Sequence, residues 1–313
     1  MVIKKEFYGV IQEQNPLLVL VSDIKRKIKF RAFKRITKKS LNLFLRSKDI
    51  ISIGPLIDGA WEPDLALLIN KFSEQGHSDF LIDIGANIGL TSCQSGNRFT
   101  EVFMYEPNPL CCHILAVNTA IALTEPIFKI HQFGLGVGSK IVKLTVPKNN
   151  WGGAFINDSS NSYGEKLLAD KDGFESIDPK NYLEIEIVLK DTEVELKKLF
   201  EELSEKNLKL GVIKIDVEGY ELEILKGIAL ALPRSFGVYI VFESWDKDFP
   251  IDKVLADFNR EIQLGKIVTI APWKKNLPKL FKAISLLMPR KFIKRVSPIE
   301  KGELDGDIVL YIK

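Results

Sequence analysis

Two groups of acidic side chains stand where the sequence is able to do chemistry, and the first sits around glycines. Asp83-Ile-Gly85-Ala-Asn87-Ile-Gly89 closes an apolar run, FLIDIG (80–85), and precedes a helix. Glycines at a strand-to-helix turn let the backbone bend sharply and approach a ligand, while the helix's amino end offers free N–H groups. Glu106 ends the next apolar run, VFMYE (102–106), 21 residues after Gly85. That is about the spacing at which a carboxylate holds the two hydroxyls of a ribose. Asn87 stands where a phosphate-cradling loop wants glycine, and Asp83 precedes the turn. A carboxylate there repels pyrophosphate but suits a ligand carrying an ammonium and a sulfonium. The pattern favours an adenosyl amino acid over a dinucleotide.

The second group closes GVIKIDVEG (211–219), where Asp216 and Glu218 lead into the helical pattern YELEILKG. On a continuing strand they would face opposite ways, but at a strand end both reach a cleft. One of them then orients an acceptor hydroxyl or takes its proton. The plainer alternative has Glu218 capping the helix and Asp216 binding backbone. Asp216 with Glu243, at the end of SFGVYIVFES (235–244), makes a divalent cation conceivable, but no metal is assigned. Lys214 and Lys226 read as structural. His77, His113 and His131 share no spacing, and Cys111 and Cys112 read as helix packing. Three cysteines make neither a disulfide framework nor a zinc ligand set. Trp151 opens a polar stretch with Gly152 and Gly153, where an aromatic either packs or stacks on a sugar ring.

From Asp79 onward the chain alternates strand and helix patterns, as a parallel sheet with covering helices requires. In PNP (107–109) Asn108 is an expected N-cap, with Pro109 in the first position of helix PLCCHILAVNTAIAL. IFKIHQFGLG (127–136) reads as one strand. KIVKLTVP (140–147), YLEIEIVLK (182–190), KIVTIAP (266–272) and DIVLYIK (307–313) read as further strands, and EVELKKLFEEL (193–203) as a helix. WEPDLALLINKFSEQG (61–76) has helical spacing, with Pro63 in its first turn and Gly76 past its end. PLLVLVS (16–22) reads as a short strand, and the basic–apolar run after it fits either period. LPKLFKAISLLMP (277–289) reads as a basic amphipathic helix that packs on the sheet or covers a substrate, with a membrane interface as the lesser reading.

The 313 residues, 46% apolar and 27% charged, describe a folding chain with a large core and exclude intrinsic disorder. No apolar run nears the roughly 18 residues of a membrane span, and the first residues lack a signal peptide's apolar region. A cytoplasmic location is expected. A net charge of +3 hides segregation: residues 1–50 hold 13 Lys/Arg against 4 Asp/Glu, and 264–299 hold 9 basic residues and no acid. The two segments are expected to form one positive surface beside the cleft, or else a solvated face. We divide the chain into a basic extension with a lead-in helix (1–75) and a cofactor-binding domain (76–313).

DIGANIG, YEPNP and IKIDVEGYELEILKG, in that order, resemble the FkbM family of S-adenosylmethionine-dependent methyltransferases, from about Trp61 to about Trp245. The resemblance implies an α/β, class I methyltransferase (Rossmann-like) fold. Its seven-stranded, mostly parallel sheet ends in an antiparallel strand and carries helices on both faces. It further implies S-adenosyl-L-methionine as cofactor and O-methyl transfer. By position, Asp83, Gly85, Asn87 and Gly89 would line the methionine and ribose part of the cofactor, and Glu106 would bind the ribose diol. Asn108 and Glu62, of the Trp61-Glu62 pair, join that set, while Asp216 and Glu218 would face the reaction centre. Asp191 stands where relatives often have an aspartate. Ser244-Trp245 follow Glu243 where relatives often have histidine. The expected acceptor is a hydroxyl of a carbohydrate or glycolipid-like molecule, anionic if the basic segments draw it. Nucleic-acid methylation is the rival, but IKIDVEG replaces the NPPY-type strand end of amino-methylating enzymes. A binding module without catalysis is opposed by the presence of Asp83, Glu106 and Asp216 together.

Overall fold

The computed structural model describes residues 16–158, 160, 161, 163, 168, 178–245, 249–270, 293–299, 304 and 306–313. The chain opens with helices α1 (Pro16–Ile36), α2 (Ile53–Ile57) and α3 (Pro63–Glu74). Strand β1 (Phe80–Ile84), α4 (Leu90–Ser95), β2 (Glu101–Tyr105), α5 (Pro109–Ala122) and β3 (Ile127–His131) follow in strict alternation. Four strands come next, β4 (Gly134–Gly136), β5 (Lys140–Pro147), β6 (Phe155–Ile156) and β7 (Tyr182–Asp191). The alternation resumes with α6 (Thr192–Glu205), β8 (Leu210–Ile215), α7 (Glu221–Ala231), β9 (Gly237–Ser244), α8 (Ile251–Phe258) and β10 (Ile262–Ile270). Strands β11 (Ile293–Pro298) and β12 (Gly306–Ile312) complete it.

The main sheet has the order β11-β10-β12-β9-β8-β1-β2-β3. Strands β3, β2, β1, β8 and β9 are parallel, β12 runs against β9, and β10 and β11 alternate beyond it. This is the α/β arrangement expected, with the antiparallel strand in place, but with eight strands instead of seven. The extra strand is β11, which pairs on the free edge of β10. All five residues of β1 and of β2 are buried, as strands covered on both faces must be. Phe80, Ile82 and Ile84 of β1 face one core with Leu196 and Phe200 of α6 and Ile224 of α7. Leu81 faces the other, with Ile69 of α3 and Leu115 of α5. Strand order reverses between β1 and β8, so their carboxyl ends part and leave a crevice there.

A second sheet, β4-β7-β5-β6, stands over that crevice. The run 127–136 therefore is not one strand. After His131 the chain leaves the main sheet, and Gly134 to Gly136 pair with β7, where Gly134 has room only because it lacks a side chain that would meet Leu189 and Pro107. Residues 16–22 are helical, contrary to the strand expected, because the basic–apolar run continues a single 21-residue helix to Ile36. The segment 277–289 lies outside the described residues, as does most of the second basic segment. Among the described residues, no helix is long and apolar enough to cross a membrane.

Candidate active site

Glycine is obligatory at the end of β1. Gly85 has φ 78°, and a Cβ there would lie 1.8 Å from the carbonyl oxygen of Asp216. The ends of β1 and β8 thus touch backbone to backbone, fixed by the Asp216 N–H donating to Ile84 O (2.9 Å). Asn87 follows in the left-handed region (φ 52°). Its N–H donates to Glu106 Oε2 (2.7 Å), and the Asn108 N–H donates to Oε1 (2.8 Å). One carboxylate so ties the turn after β1 to the turn after β2. Burial pushes the Glu106 carboxyl up to about 7, against the opposing pull of those two N–H groups.

Asp83 and Lys214 are register partners on adjacent parallel strands, so both side chains leave the sheet on the same face. The Lys214 ammonium lies 3.2 Å from Asp83 Oδ1 and 3.0 Å from Asp216 Oδ2, and donates to Gly85 O (3.2 Å). Asp83 is fully buried and takes Ser92 Oγ on its other oxygen (2.7 Å), whereas the Asp216 side chain is 45% exposed. Burial disfavours the Lys214 charge, but Asp216, Asp83 and Glu62 outweigh it and raise its pKa above the ordinary value. Glu62, at the amino end of α3, has the strained φ of 41° for a non-glycine residue. Desolvation pushes its carboxyl up to about 7, with the charge of Asp216 adding and that of Lys214 opposing.

Two adjoining hollows share Gly85, Asn87, Gly152, Asp216 and Glu218 as walls. The inner one is largely apolar, with Leu135, Leu144, Phe155 and Leu189 around Glu106 and Trp151. The outer one is polar and acidic, with Glu62, Lys214 and Glu243 beside Ile50, Ile51 and Trp61. Its rim comes from the amino-terminal segment. Buried Asp49 accepts from the backbone N–H groups of Ile51 and Trp151 (3.4 Å each) and pairs with Arg46 (2.8 Å), whose guanidinium lies 3.9 Å over the Trp151 ring. Asn118 holds the same segment by accepting from Phe44 N–H (2.7 Å) and donating to Phe44 O (3.1 Å).

Of the residues singled out in the sequence, Glu62, Gly85, Asn87, Glu106, Asp216 and Glu218 meet in these hollows. Asp83 stands behind the wall and reaches it through Lys214. Gly89 starts α4 and packs against Leu115, and Asn108 is buried and caps α5 by accepting from the Leu110 N–H (3.0 Å). Asp191 caps α6 and lines neither hollow. The N-cap residue of α7 is Tyr220, two residues after Glu218. Among the described residues no cluster of three or more His, Cys, Asp or Glu is arranged to hold a metal. The sequence marks Lys214 as structural, yet the residue lines the outer hollow. A lysine between buried apolar neighbours must find an anion, and that signal was available. Asp49 and Arg46 lie in a segment without a motif and left no such signal.

The model of the methyltransferase FkbM domain matches residues 83–262. The chain belongs to the FkbM methyltransferase family. It is 30% identical over 182 residues to methyltransferase sdnD of Sordaria araneosa, covering 53% of this chain and 66%, just under two thirds, of that protein. It is 26% identical over 208 residues to the hexuronic acid methyltransferase AglP of Haloferax volcanii, covering 66% of this chain and 72% of that one. The solved structure of precorrin-6y C5,15-methyltransferase from Geobacter metallireducens GS-15 is 11% identical, with a TM-score of 0.38 over 87% of this chain and 94% of its own. That likeness adds nothing to the strand order described above.

S-adenosyl-L-methionine is the methyl donor of the FkbM family, and the residues present fit it. Asn87 Oδ1 and the Trp151 indole N–H are buried at the hollows without a hydrogen-bond partner, a cost that a polar ligand removes. A Cβ at Gly152 would lie 2.5 Å from Asn87 Nδ2, so glycine keeps the space between them open.

Proposed function

We propose that this FkbM methyltransferase acts on oxygen, methylating a hydroxyl of a carbohydrate or glycolipid-like acceptor. The observation that carries the reading is the meeting of Asp216 and Glu218 at the mouth, where an apolar hollow opens into an acidic one. In this reading Glu106 and Asn87 hold the adenosyl part of S-adenosyl-L-methionine in the inner hollow, with Gly85 giving it room. Glu62, in the outer hollow, meets the donor's ammonium in the same reading. Bound there, the donor supplies an electrophilic methyl group on a sulfonium. Asp216 has Oδ2 on Lys214, which leaves Oδ1 to accept the proton of the acceptor hydroxyl. Glu218, two residues on, orients the same acceptor. Positioning is the larger contribution, since an in-line approach must be enforced, and a base adds about 10²- to 10⁴-fold.

A hydroxyl needs a proton acceptor as it becomes a nucleophile, and carboxylates at this mouth meet that need. The relative named as a hexuronic acid methyltransferase supports a saccharide acceptor. The test is methyl transfer from labelled S-adenosylmethionine to a panel of neutral, amino and uronic saccharides, with mass spectrometry locating the methyl group. Label on a sugar oxygen is the expected result. Label on nucleic acid instead, or none on any saccharide by a protein that binds the donor, would overturn the reading.

A further inference from the structure

Helix α1 carries seven Lys/Arg against one Asp, and every side chain described from Val21 to Ile36 is exposed. Apolar side chains are exposed along with the charges. Val21, Ile24 and Ile28 recur at helical spacing and share one side, flanked by Lys25 and Lys29 on one border and Lys27 and Arg31 on the other. Phe30 is 65% exposed and Phe33 55%. The pattern continues past the helix through Phe44, Ile50, Ile53 and Ile57. Of the 23 large apolar side chains exposed among the described residues, ten fall between Val21 and Ile57. Ordinary surfaces scatter such residues singly, so their concentration in one segment requires a cover.

We propose that α1 is a docking element for an anionic phospholipid surface, with the Val21–Ile24–Ile28 stripe entering the interface and the basic residues meeting the headgroups. Three occupants compete for such a segment, and charge with apolarity together select one. A second copy of α1 would bring seven like charges against seven. Nucleic acid satisfies the charges but leaves the aliphatic stripe in water. A bilayer with acidic headgroups satisfies both, because long basic side chains extend to the headgroups while their apolar neighbours sink between the chains. The helix is not apolar enough to cross a bilayer. Its consequence is positional. The 3₁₀ turn Thr37–Lys39 that ends α1 touches Gly59 near α2, and Ile50 and Ile51 just before α2 line the outer hollow. The carboxyl end of α1 is thereby tied to the segment that rims the outer hollow. The proposal stands apart from the reading of the acceptor, because its test uses no turnover.

The full chain is floated with vesicles of phosphatidylcholine alone and of phosphatidylcholine mixed with phosphatidylglycerol. Binding is expected to the mixed vesicles only, and to fall in about 1 M salt, where screening shortens the reach of charge to about 3 Å. Replacing Ile24 and Ile28 with Ser (I24S/I28S), which keeps every charge, should weaken binding on the order of tenfold with an unchanged circular dichroism spectrum. A double variant that binds as well as the parent would reduce the effect to bare charge attraction and overturn the proposal. So would absence from mixed vesicles at low salt, preference for an RNA oligonucleotide over them, or self-association without vesicle binding.

Discussion

The Lys214 ammonium sits 3.0 Å from Oδ2 of Asp216 and joins that half-exposed carboxylate to the buried Asp83. The two ends of this bridge differ in what their loss should do. Lys214→Met leaves Asp83 charged, buried and short of a partner, which costs about 3–5 kcal/mol. Asp216→Asn removes a carboxylate that water still solvates, so stability should change by about 1 kcal/mol or less. Turnover should behave in the opposite sense for Asp216→Asn, with kcat falling about 10²- to 10⁴-fold while donor binding holds. Denaturant titrations beside turnover measurements separate the two. A stable D216N protein with normal kcat would remove Asp216 from the reaction.

Glu106 is expected to act on the bound donor and its demethylated product alike, because both carry the ribose hydroxyls. Its two oxygens already take the N–H groups of Asn87 and Asn108, each with a lone pair to spare. Glu106→Ala should weaken both ligands about 10- to 100-fold, the worth of charged hydrogen bonds and of an ordered turn. Calorimetry with the two ligands checks this. A loss confined to one of them would place Glu106 away from the ribose.

What the sequence disclosed, and what it hid, follows from burial. Strands β1, β2, β8 and β9 announced themselves because a central parallel strand is apolar on both faces, and each has a carboxylate at or just past its carboxyl end (Asp83, Glu106, Asp216, Glu243). Asn108 before Pro109 marked the start of α5 by local chemistry alone. The hidden features depend on distant partners. Nothing local to β4 says that it leaves β3 for Leu189 of β7. Alternating basic and apolar residues fit both periods in α1, and exposure on all sides removed the burial pattern that decides between them. Lys214 showed in the sequence as a charge among buried apolar neighbours, with Asp216 two residues on, but its other partners, Asp83 on β1 and Glu62 before α3, are brought to it only by the fold.

The buried carboxyl of Glu221 gives a pH prediction. Burial pushes it up to about 8, the Glu218 charge adds to this, and the Gly219 N–H and the Tyr163 hydroxyl oppose it. An unfolded glutamate loses its proton near pH 4.3. As pH rises from about 4.5 to about 8, the unfolded chain therefore releases this proton first, and the folded state loses relative stability. Glu221→Gln abolishes that loss without changing the shape. The variant should match the parent near pH 4.5 and exceed it by about 3–5 kcal/mol by pH 8. Glu62 and Glu106, raised in the same sense, are present in both proteins and cancel. Parallel stability profiles for the two proteins would show that Glu221 does not titrate in this range.

Asn161 clasps the segment that presents Asp216 and Glu218. Its Nδ2 donates to Ile156 O and to Glu218 O (2.8 Å each), and its Oδ1 accepts from the Tyr163 N–H (2.8 Å). Phe155 of β6 bridges to Glu218 beside it, so the second sheet and the end of β8 are joined at this point. Gly219 makes the approach possible, since a Cβ there, at φ 89°, would lie 1.9 Å from Asn161 Oδ1. Asn161→Ala takes a donor from two carbonyls at once and should cost about 1–3 kcal/mol. The larger effect should be kinetic, because a loosened Glu218 no longer holds the acceptor in line. We expect kcat to fall on the order of tenfold with the donor's affinity nearly unchanged, and Gly219→Ala to be worse in both stability and rate. Pre-steady-state methyl transfer with saturating donor reads this directly. If N161A lowers stability but transfers methyl at the parental rate, the clasp holds the fold and not the chemistry.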